Sequence, residues 1–177
     1  MECSYPTLAD MDDVYCFGGN PLDRASEQRD DGDWIAALLA DPQTRLLALR
    51  DLKPFTRGTK VPALDWQPVA PWRDQIEGGA PLIFLGVGDG RAHFAIDAAG
   101  ADVAPDLDTE LIDVRALAPT LAPGEAAILA EARSLLDWHA RHRFCAQCGS
   151  PTKWRRPAGN GTARRAGRRT SRAPIPS

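Results

Sequence analysis

Residues 82–96 read LIFLGV, then GDG, then RAHFAI. Two apolar runs joined by a short glycine-bearing segment predict a β-hairpin, because glycine and aspartate accept the backbone angles of a tight turn. The segment is also as rich in glycine as a dinucleotide-binding loop. However, it lacks the third glycine of such a loop, and a strand follows it where a helix would be needed. The sequence therefore predicts a hairpin turn here.

Short elements precede this hairpin. The acidic cluster at residues 30–33 offers an N-cap for a short helix from Trp34 to Ala40. The same cluster has the charge to bind a cation, but capping is the simpler explanation. Residues 44–49 predict a strand, although their leucines do not alternate cleanly. Prolines and glycine interrupt residues 54–71, so we predict a loop there with at most a short strand.

A long helix follows the hairpin. Residues 111–114 predict one more short strand, and a helix is expected from Pro123 to about His142. Its apolar side chains recur at helical spacing, and proline suits its first position. Together these elements predict an α+β fold, in which an antiparallel-rich sheet has flanking helices.

Composition restricts the class of protein. The chain has 177 residues, of which 44% are hydrophobic and 25% charged, so collagen-like and wholly disordered classes are excluded. No apolar run approaches the roughly 18–20 residues of a membrane span. The first five residues lack the basic and apolar regions of a secretory signal. We therefore expect a cytoplasmic protein, in which paired cysteines bind metal more often than they form disulfides.

Two cysteines follow the long helix in the pattern RFCAQCG, residues 143–149. A C-x-x-C followed by glycine is typical of a zinc knuckle, so Cys145 and Cys148 are the predicted metal ligands. A thioredoxin-type redox pair is the first alternative, but such a motif opens a helix and this one follows a helix. An incidental pair of thiols is the second alternative.

A structural zinc ion needs four ligands, and the sequence supplies only these two. No second C-x-x-C follows, and Cys3 and Cys16 lie far upstream in a different setting. His139 and His142 stand one turn apart near the helix end. Positive charge stabilises the C-terminal end of a helix, so we expect the two histidines to have this role. The alternative is that one of them is a third zinc ligand. The sequence thus predicts an incomplete Zn2+ site.

Residues 135–152, LLDWHARHRFCAQCGSPT, resemble the junction between helix and zinc ribbon in bacterial NADH pyrophosphatases of the Nudix hydrolase superfamily. The segments GNPLDR (residues 19–24) and DVRALAP (residues 113–119) resemble the N-terminal region of the same family. The resemblance covers roughly residues 15–152. It implies a degenerate Nudix-like N-terminal domain followed by the first half of a four-cysteine zinc ribbon.

The family's catalytic domain carries the box G-x5-E-x7-R-E-x-x-E-E-x-G. Its glutamates hold Mg2+ or Mn2+ for hydrolysis of NAD(H) to nicotinamide mononucleotide and AMP, and some members remove NAD caps from RNA. This box does not occur in the chain. We therefore expect no catalytic residue here, no identifiable cofactor-binding residue and no turnover by this chain. NAD(H) and a second copy are the partners that the resemblance implies for the intact protein, whereas a membrane or nucleic acid is not expected for this chain.

Composition changes abruptly at Lys153. Residues 153–177 contain eight basic residues and no acidic one. The first 152 residues therefore contain 13 of the chain's 21 basic residues and all 24 acidic residues, which gives them a net charge of −11. Clusters of arginine, glycine and proline are typical of a GC-rich gene that is translated in the wrong reading frame. When the reading frame is moved back by one base, each new codon consists of the third base of one codon and the first two bases of the next. Codons 162 and 163 then give NGC, and so do codons 165 and 166. NGC encodes cysteine when its undetermined first base is T. A second C-x-x-C would then stand at about positions 163 and 166.

The predicted organisation has four parts. Residues 1–118 form the Nudix-like domain, 119–144 the connecting helix, 145–152 half of a zinc ribbon, and 153–177 a basic, disordered tail that is out of frame. Two other functions fit the same residues: a non-catalytic module in which two chains share one zinc ion, and an RNA-binding protein that uses its basic tail.

Overall fold

The computed structural model describes residues 19–58, 61–101, 109–145, 148–155, 160–163 and 169–172. The described residues form four α-helices, α1 (Gly32–Ala40), α2 (Arg73–Glu77), α3 (Val114–Leu117) and α4 (Pro123–Arg141), and short 3-10 turns occupy Ala70–Trp72 and Ala118–Thr120. The first seven strands are β1 (Arg45–Arg50), β2 (Lys53–Arg57), β3 (Ala63–Leu64), β4 (Trp66–Gln67), β5 (Leu82–Gly88), β6 (Arg91–Asp97) and β7 (Thr109–Leu111). None of the described helices combines the length and apolar character needed to cross a membrane.

These seven strands form one sheet in the order β3-β2-β1-β6-β5. β4 also pairs with β1, and β7 with β2. β1 runs parallel to β6, with Arg45 opposite His93 and Leu49 opposite Asp97. The other pairs in this sheet are antiparallel. The predicted α+β fold with an antiparallel-rich sheet is thus confirmed.

The β5–β6 hairpin lies where the sequence predicts it. Gly88 pairs with Arg91, so Asp89 and Gly90 form a two-residue loop. Both have positive φ, 51° and 71°, as the tightest hairpin turn requires. The ladder shifts register between Phe84 and Gly86, which marks a bulge in β5.

The sheet is buried on both faces. Alternate residues of β1 and β5 contribute to two separate hydrophobic clusters because side chains of a strand point to opposite faces. One cluster packs Leu47, Leu49, Ile83 and Leu85 against α4; the other packs Leu46, Ala48, Leu82 and Phe84 with residues of α1 and α2. Burial on both faces explains why the leucines of β1 form a continuous apolar run.

Two predictions for the region around the sheet were inaccurate. Residues 54–71 contain three strands in place of a loop, because Pro54 stands near the start of β2, where a proline is tolerated. The strand predicted over residues 111–114 instead ends at Leu111. Asp113 then caps α3 by accepting a hydrogen bond from the amide of Arg115 at 2.9 Å.

Beyond the long helix, the structure describes parts of the segment for which the sequence predicts a basic, disordered tail. Three short strands, β8 (Thr152–Arg155), β9 (Asn160–Ala163) and β10 (Arg169–Arg172), form a second sheet in the order β10-β9-β8. Both pairs are antiparallel, and Thr152 stands opposite Ala163. Thr152 and Trp154 are residue types with strand propensity, which the arginine-rich composition obscured.

Candidate functional site

The predicted metal ligands lie in a closed loop directly after α4. The amide of Cys145 donates to the Ser150 carbonyl at 2.8 Å, and the amide of Gly149 donates to the Cys145 carbonyl at 2.8 Å. Gly149 has a φ of 65°, which glycine adopts without strain. Phe144 and Pro151 form an isolated antiparallel bridge that closes the loop at its base. These backbone contacts close a loop that has Cys145 at its start and includes Cys148.

The two cysteines differ in exposure. Cys145 is buried and Cys148 is exposed. Tetrahedral zinc requires two more ligands. Among the residues that the structure describes, no group of three or more histidine, cysteine or acidic side chains is arranged to hold a metal ion. Cys3 and Cys16 lie outside the described residues. Cys145 and Cys148 therefore remain predicted metal ligands.

The two histidines near the knuckle have different environments. His139 is 5% exposed, and burial lowers its pKa to about 3, with the nearby His142 as a smaller contribution. The prediction of a positive charge at the helix end is therefore wrong for His139, which is neutral in the fold. His142 is exposed, donates from Nδ1 to the Trp138 carbonyl at 2.7 Å and stacks on the Trp138 ring at 4.6 Å.

The segment Gly19–Arg24, which carried part of the family resemblance, is fixed to α4 by a buried carboxylate. Asn20 donates from Nδ2 to Oε2 of Glu131 at 2.7 Å, and Arg24 Nη1 lies 2.6 Å from Oε1 of Glu131. The Asn20 Oδ1 atom also accepts from the amide of Leu22 at 3.0 Å. One glutamate thus fixes both ends of the GNPLDR segment.

Glu131 is itself only 2% exposed. Burial raises its pKa, against the opposing effects of the Arg24 and Arg29 charges and the Asn20 hydrogen bond. Arg29 is also buried and donates from Nη2 to the Phe84 carbonyl at 3.4 Å. Sequence reasoning missed this cluster. The available signal was an acidic residue on the apolar stripe of α4, three residues after Ile128 and four before Leu135.

The bulge in β5 accommodates the same segment. Asp23 and Val87 exchange two backbone hydrogen bonds of 2.9 and 2.8 Å. A Cβ atom on Gly86 would stand 2.6 Å from the Asp23 carbonyl oxygen and 2.9 Å from Cβ of Leu22. The glycine therefore permits close backbone contact, and the glycine-rich stretch forms the predicted hairpin turn.

Two other polar features also have structural roles. The Asp31 side chain accepts from the amides of Asp33 and Trp34 at 2.9 and 3.3 Å, so the acidic cluster caps α1 as predicted. His93 contacts Trp66 edge-to-face at 5.0 Å, and burial lowers its pKa. Neither feature adds a ligand to the knuckle.

A cleft of about 450 Å³ lies beside the knuckle, between the C-terminal end of α4 and the start of β5. Its polar side chains are Asp97, His139 and Arg143, and its apolar wall includes Phe144 and Pro151. Phe144 is 63% exposed, unusual for a large apolar side chain. The knuckle thus adjoins an open, partly apolar surface.

A mixed sheet with helices packed on both faces is consistent with a Nudix-like domain. The chain belongs to the family described as NADH pyrophosphatase-like rudimentary NUDIX domains, whose model matches residues 43–138. This match covers more than half of the sequence and extends from the start of β1 almost to the end of α4.

Curated relatives share this region. The NAD-capped RNA hydrolases NUDT12 of Homo sapiens and Macaca fascicularis are each 30% identical over 173 residues, which cover 77% of this chain and 37% of the relative. The NAD-capped RNA hydrolase NudC of Mycobacterium tuberculosis is 37% identical over 73 residues, 40% of this chain and 23% of the relative. The chain therefore spans little more than a third of the NUDT12 relatives' length.

Proposed function

We propose that this chain is the N-terminal and partial zinc-ribbon portion of a Nudix hydrolase that acts on NAD(H) and NAD-capped RNA. The family match over residues 43–138 supports this, together with relatives named as NAD-capped RNA hydrolases. The reaction adds water across the pyrophosphate bond and releases nicotinamide mononucleotide and AMP from NAD(H). Mg2+ or Mn2+, held by the family's catalytic glutamates, would polarise the pyrophosphate and activate the water.

In this proposal, the described residues provide a scaffold. The 177 residues contain no G-x5-E-x7-R-E-x-x-E-E-x-G box, so no group here is assigned to catalysis. The sheet is packed on both faces, and Glu131 fixes the GNPLDR segment to the helix that leads to the knuckle. A rigid helix leading into the ribbon would hold a following catalytic domain at a defined position.

The proposal includes a structural Zn2+ ion, of which Cys145 and Cys148 are two ligands. The restored reading frame would supply the other two at about positions 163 and 166. The spacing supports this assignment, because a second pair at these positions would begin fifteen residues after Cys148, which suits a zinc ribbon.

Two experiments test this function. The gene is resequenced across codons 150–177, where codons 162 and 165 should end in T. The frame-restored gene product is then incubated with NADH and with NAD-capped RNA, with Mg2+ or Mn2+, and the products are separated by chromatography. We expect AMP and nicotinamide mononucleotide from NADH, and no product in the presence of a chelator. A frame-restored protein without this activity would contradict the proposal.

The 177-residue chain alone is the matched control, and we expect no turnover from it. Chelator-sensitive hydrolysis of NADH by this chain would show that it contains catalytic residues which its sequence does not reveal. Cytoplasmic location belongs to the same proposal, since the relatives' named substrates include RNA.

The expectation that nucleic acid is an improbable partner finds no support in the relatives, which are named as hydrolases of NAD-capped RNA. A second candidate function is therefore RNA binding by the eight basic residues after Thr152. Binding of single-stranded RNA that weakens with salt and is lost on truncation after Thr152 would support it.

A further inference from the structure

The cleft at the C-terminal end of α4 has the size and lining of a small-molecule site. Its volume of about 450 Å³ lies within the roughly 300–1,000 Å³ that ligand pockets typically have. Most of its lining is apolar, and three of its side chains, Asp97, His139 and Arg143, are polar. A mostly apolar lining with a few polar groups is typical of sites that bind small organic molecules.

Phe144 offers an aromatic ring in this cleft. The residue is 63% exposed, although its backbone is fixed by the bridge to Pro151. An exposed ring on a fixed backbone is suited to stacking on a nucleic-acid base, because every base has a flat π-face. The ring therefore favours a planar aromatic ligand.

Asp97 contributes a carboxylate to the same cleft. It ends β6 two residues after Ala95, so both residues lie on the sheet face that packs against α4. Its Oδ1 atom accepts a hydrogen bond from the amide of Ala99 at 2.9 Å, which orients the carboxylate. An ionised carboxylate has further acceptor capacity, so it can also accept from an amino group of a ligand.

Arg143 supplies the opposite charge. Its Nε atom donates to the Ala140 carbonyl at 3.1 Å, which holds the guanidinium at the end of α4. This bond uses one of the five N–H groups of the side chain, and the others can bind a phosphate with two parallel hydrogen bonds. The cleft can therefore bind an anionic group beside an aromatic one.

The combination of these three groups selects a class of ligand. An entirely apolar ligand would remove the Asp97 carboxylate from water without replacing its hydrogen bonds, which is unfavourable. A small inorganic anion would be attracted by Arg143 but repelled by Asp97, and it would not use the Phe144 ring. A nucleotide has a planar base, an amino group and a phosphate, so it matches all three.

We propose that this cleft binds one nucleoside monophosphate unit whose base carries an exocyclic amino group. The base stacks on Phe144, its amino group donates to Asp97, and its phosphate lies against Arg143. The unit is either a free mononucleotide or one nucleotide of a single-stranded RNA, because both present the same base and phosphate. The proposal depends neither on hydrolysis nor on the zinc site.

The experiment titrates AMP and inosine monophosphate into the isotope-labelled 177-residue chain at micromolar to millimolar concentrations, with NMR of the backbone amides as the readout. Inosine monophosphate is the matched ligand, because a carbonyl oxygen replaces the amino group of AMP. We expect saturable shifts at the amides of Phe144 and Ala99. AMP should bind about tenfold more tightly than inosine monophosphate, since only AMP donates to Asp97.

Variants of the chain separate the three contacts. Phe144→Leu keeps an apolar side chain at an exposed position and should weaken AMP binding at least about fivefold through the loss of stacking. Asp97→Asn should abolish the preference for AMP, because its amide can donate to the carbonyl of inosine monophosphate. Arg143→Met should weaken the binding of AMP but not of adenosine, which has no phosphate. The control Arg141→Met changes an exposed arginine that does not line the cleft, and should bind AMP like wild type.

Oligoadenylate distinguishes the two sources of the nucleotide. Tighter binding of oligoadenylate than of AMP, weakened by Phe144→Leu, would identify a nucleotide within an RNA strand. Equal or weaker binding would identify a free mononucleotide. Because the cleft binds one phosphate, the affinity should depend only weakly on salt, with a slope of about −0.7 for a single strand.

Three outcomes would overturn the proposal. The first is no saturable binding of either AMP or oligoadenylate. The second is equal affinity of the wild-type chain for AMP and inosine monophosphate. The third is binding of oligoadenylate that depends steeply on salt and is unchanged in Phe144→Leu, which would assign it to the basic residues after Thr152. None of these outcomes affects the NADH assay of the frame-restored protein, so failure of this inference is distinguishable from failure of the proposed hydrolase.

Discussion

Arg24 and Glu131 form an ion pair of 2.6 Å that joins the N-terminal segment to the long helix. The Glu131 side chain is 3% exposed and that of Arg24 21%, so the carboxylate depends on its partners for solvation. Removing one member of a buried pair leaves the other charge uncompensated, which costs more than the pair itself contributes. The pair is therefore a sensitive point of the fold.

The first prediction concerns Arg24→Met, which keeps the apolar stem and removes the charge. We expect it to lower the free energy of unfolding at pH 7 by about 3 kcal/mol, as measured by urea denaturation. Arg141→Met is the matched control. It breaks an exposed pair with Asp137 and should cost at most about 0.5 kcal/mol. Equal losses in the two variants would contradict the buried-pair account.

The second prediction concerns the pH dependence of the Glu131 contribution. Burial raises the pKa of Glu131 above its ordinary value of 4.5. A raised carboxyl pKa means that the folded state favours the protonated form, so its stabilisation is complete below pH 4.5 and is lost as pH rises through the folded pKa. The free energy of unfolding of wild type minus that of Glu131→Gln should therefore fall as pH rises from 4.5 toward 7.

The control for this series is Glu27→Gln, because Glu27 is exposed. Its difference from wild type should change much less over the same pH range. A wild-type minus Glu131→Gln difference that increases with pH would show that the ion pair with Arg24 outweighs the cost of burial.

The third prediction concerns the bulge in β5. In Gly86→Ala, the new methyl group would stand 2.6 Å from the Asp23 carbonyl oxygen, and the backbone φ of 153° is rare for alanine. We expect a loss of about 1–3 kcal/mol in the free energy of unfolding. Gly32→Ala is the control. Open space surrounds that site in α1, so the change should be neutral or stabilising by up to about 1 kcal/mol.

Sequence reasoning succeeded where local chemistry determines the structure. The Asp89-Gly90 turn demands positive φ at two adjacent residues, and few residue types accept it. The apolar spacing of α4 similarly fixes its buried face, and the observed helix ends one residue before the predicted limit of His142.

It failed where the decisive contacts are distant in sequence. Pro54 argued against a strand, yet β1, β3 and β7 pair with β2 and outweigh that local preference. The position of Glu131 on the apolar stripe of α4 did not identify its partners, because Asn20 and Arg24 belong to a segment more than a hundred residues earlier. His139 carried the sequence pattern of an end-of-helix cation, and only its burial shows that it is neutral.

The last prediction concerns that histidine. Burial depresses the pKa of His139 from 6.5 to about 3, so the neutral form stabilises the fold above pH 6.5 and this contribution is lost as pH falls toward 3. Each pH unit in that window costs up to about 1.4 kcal/mol. His139→Leu should therefore reduce the acid sensitivity of the free energy of unfolding, measured in urea at pH 7, 6, 5 and 4, even if it lowers stability at pH 7. The control His142→Asn changes an exposed histidine and should retain the wild-type slope. If His139→Leu has the same slope as wild type, then folding does not depress the pKa of His139, and the expected loss of stability on acidification is wrong.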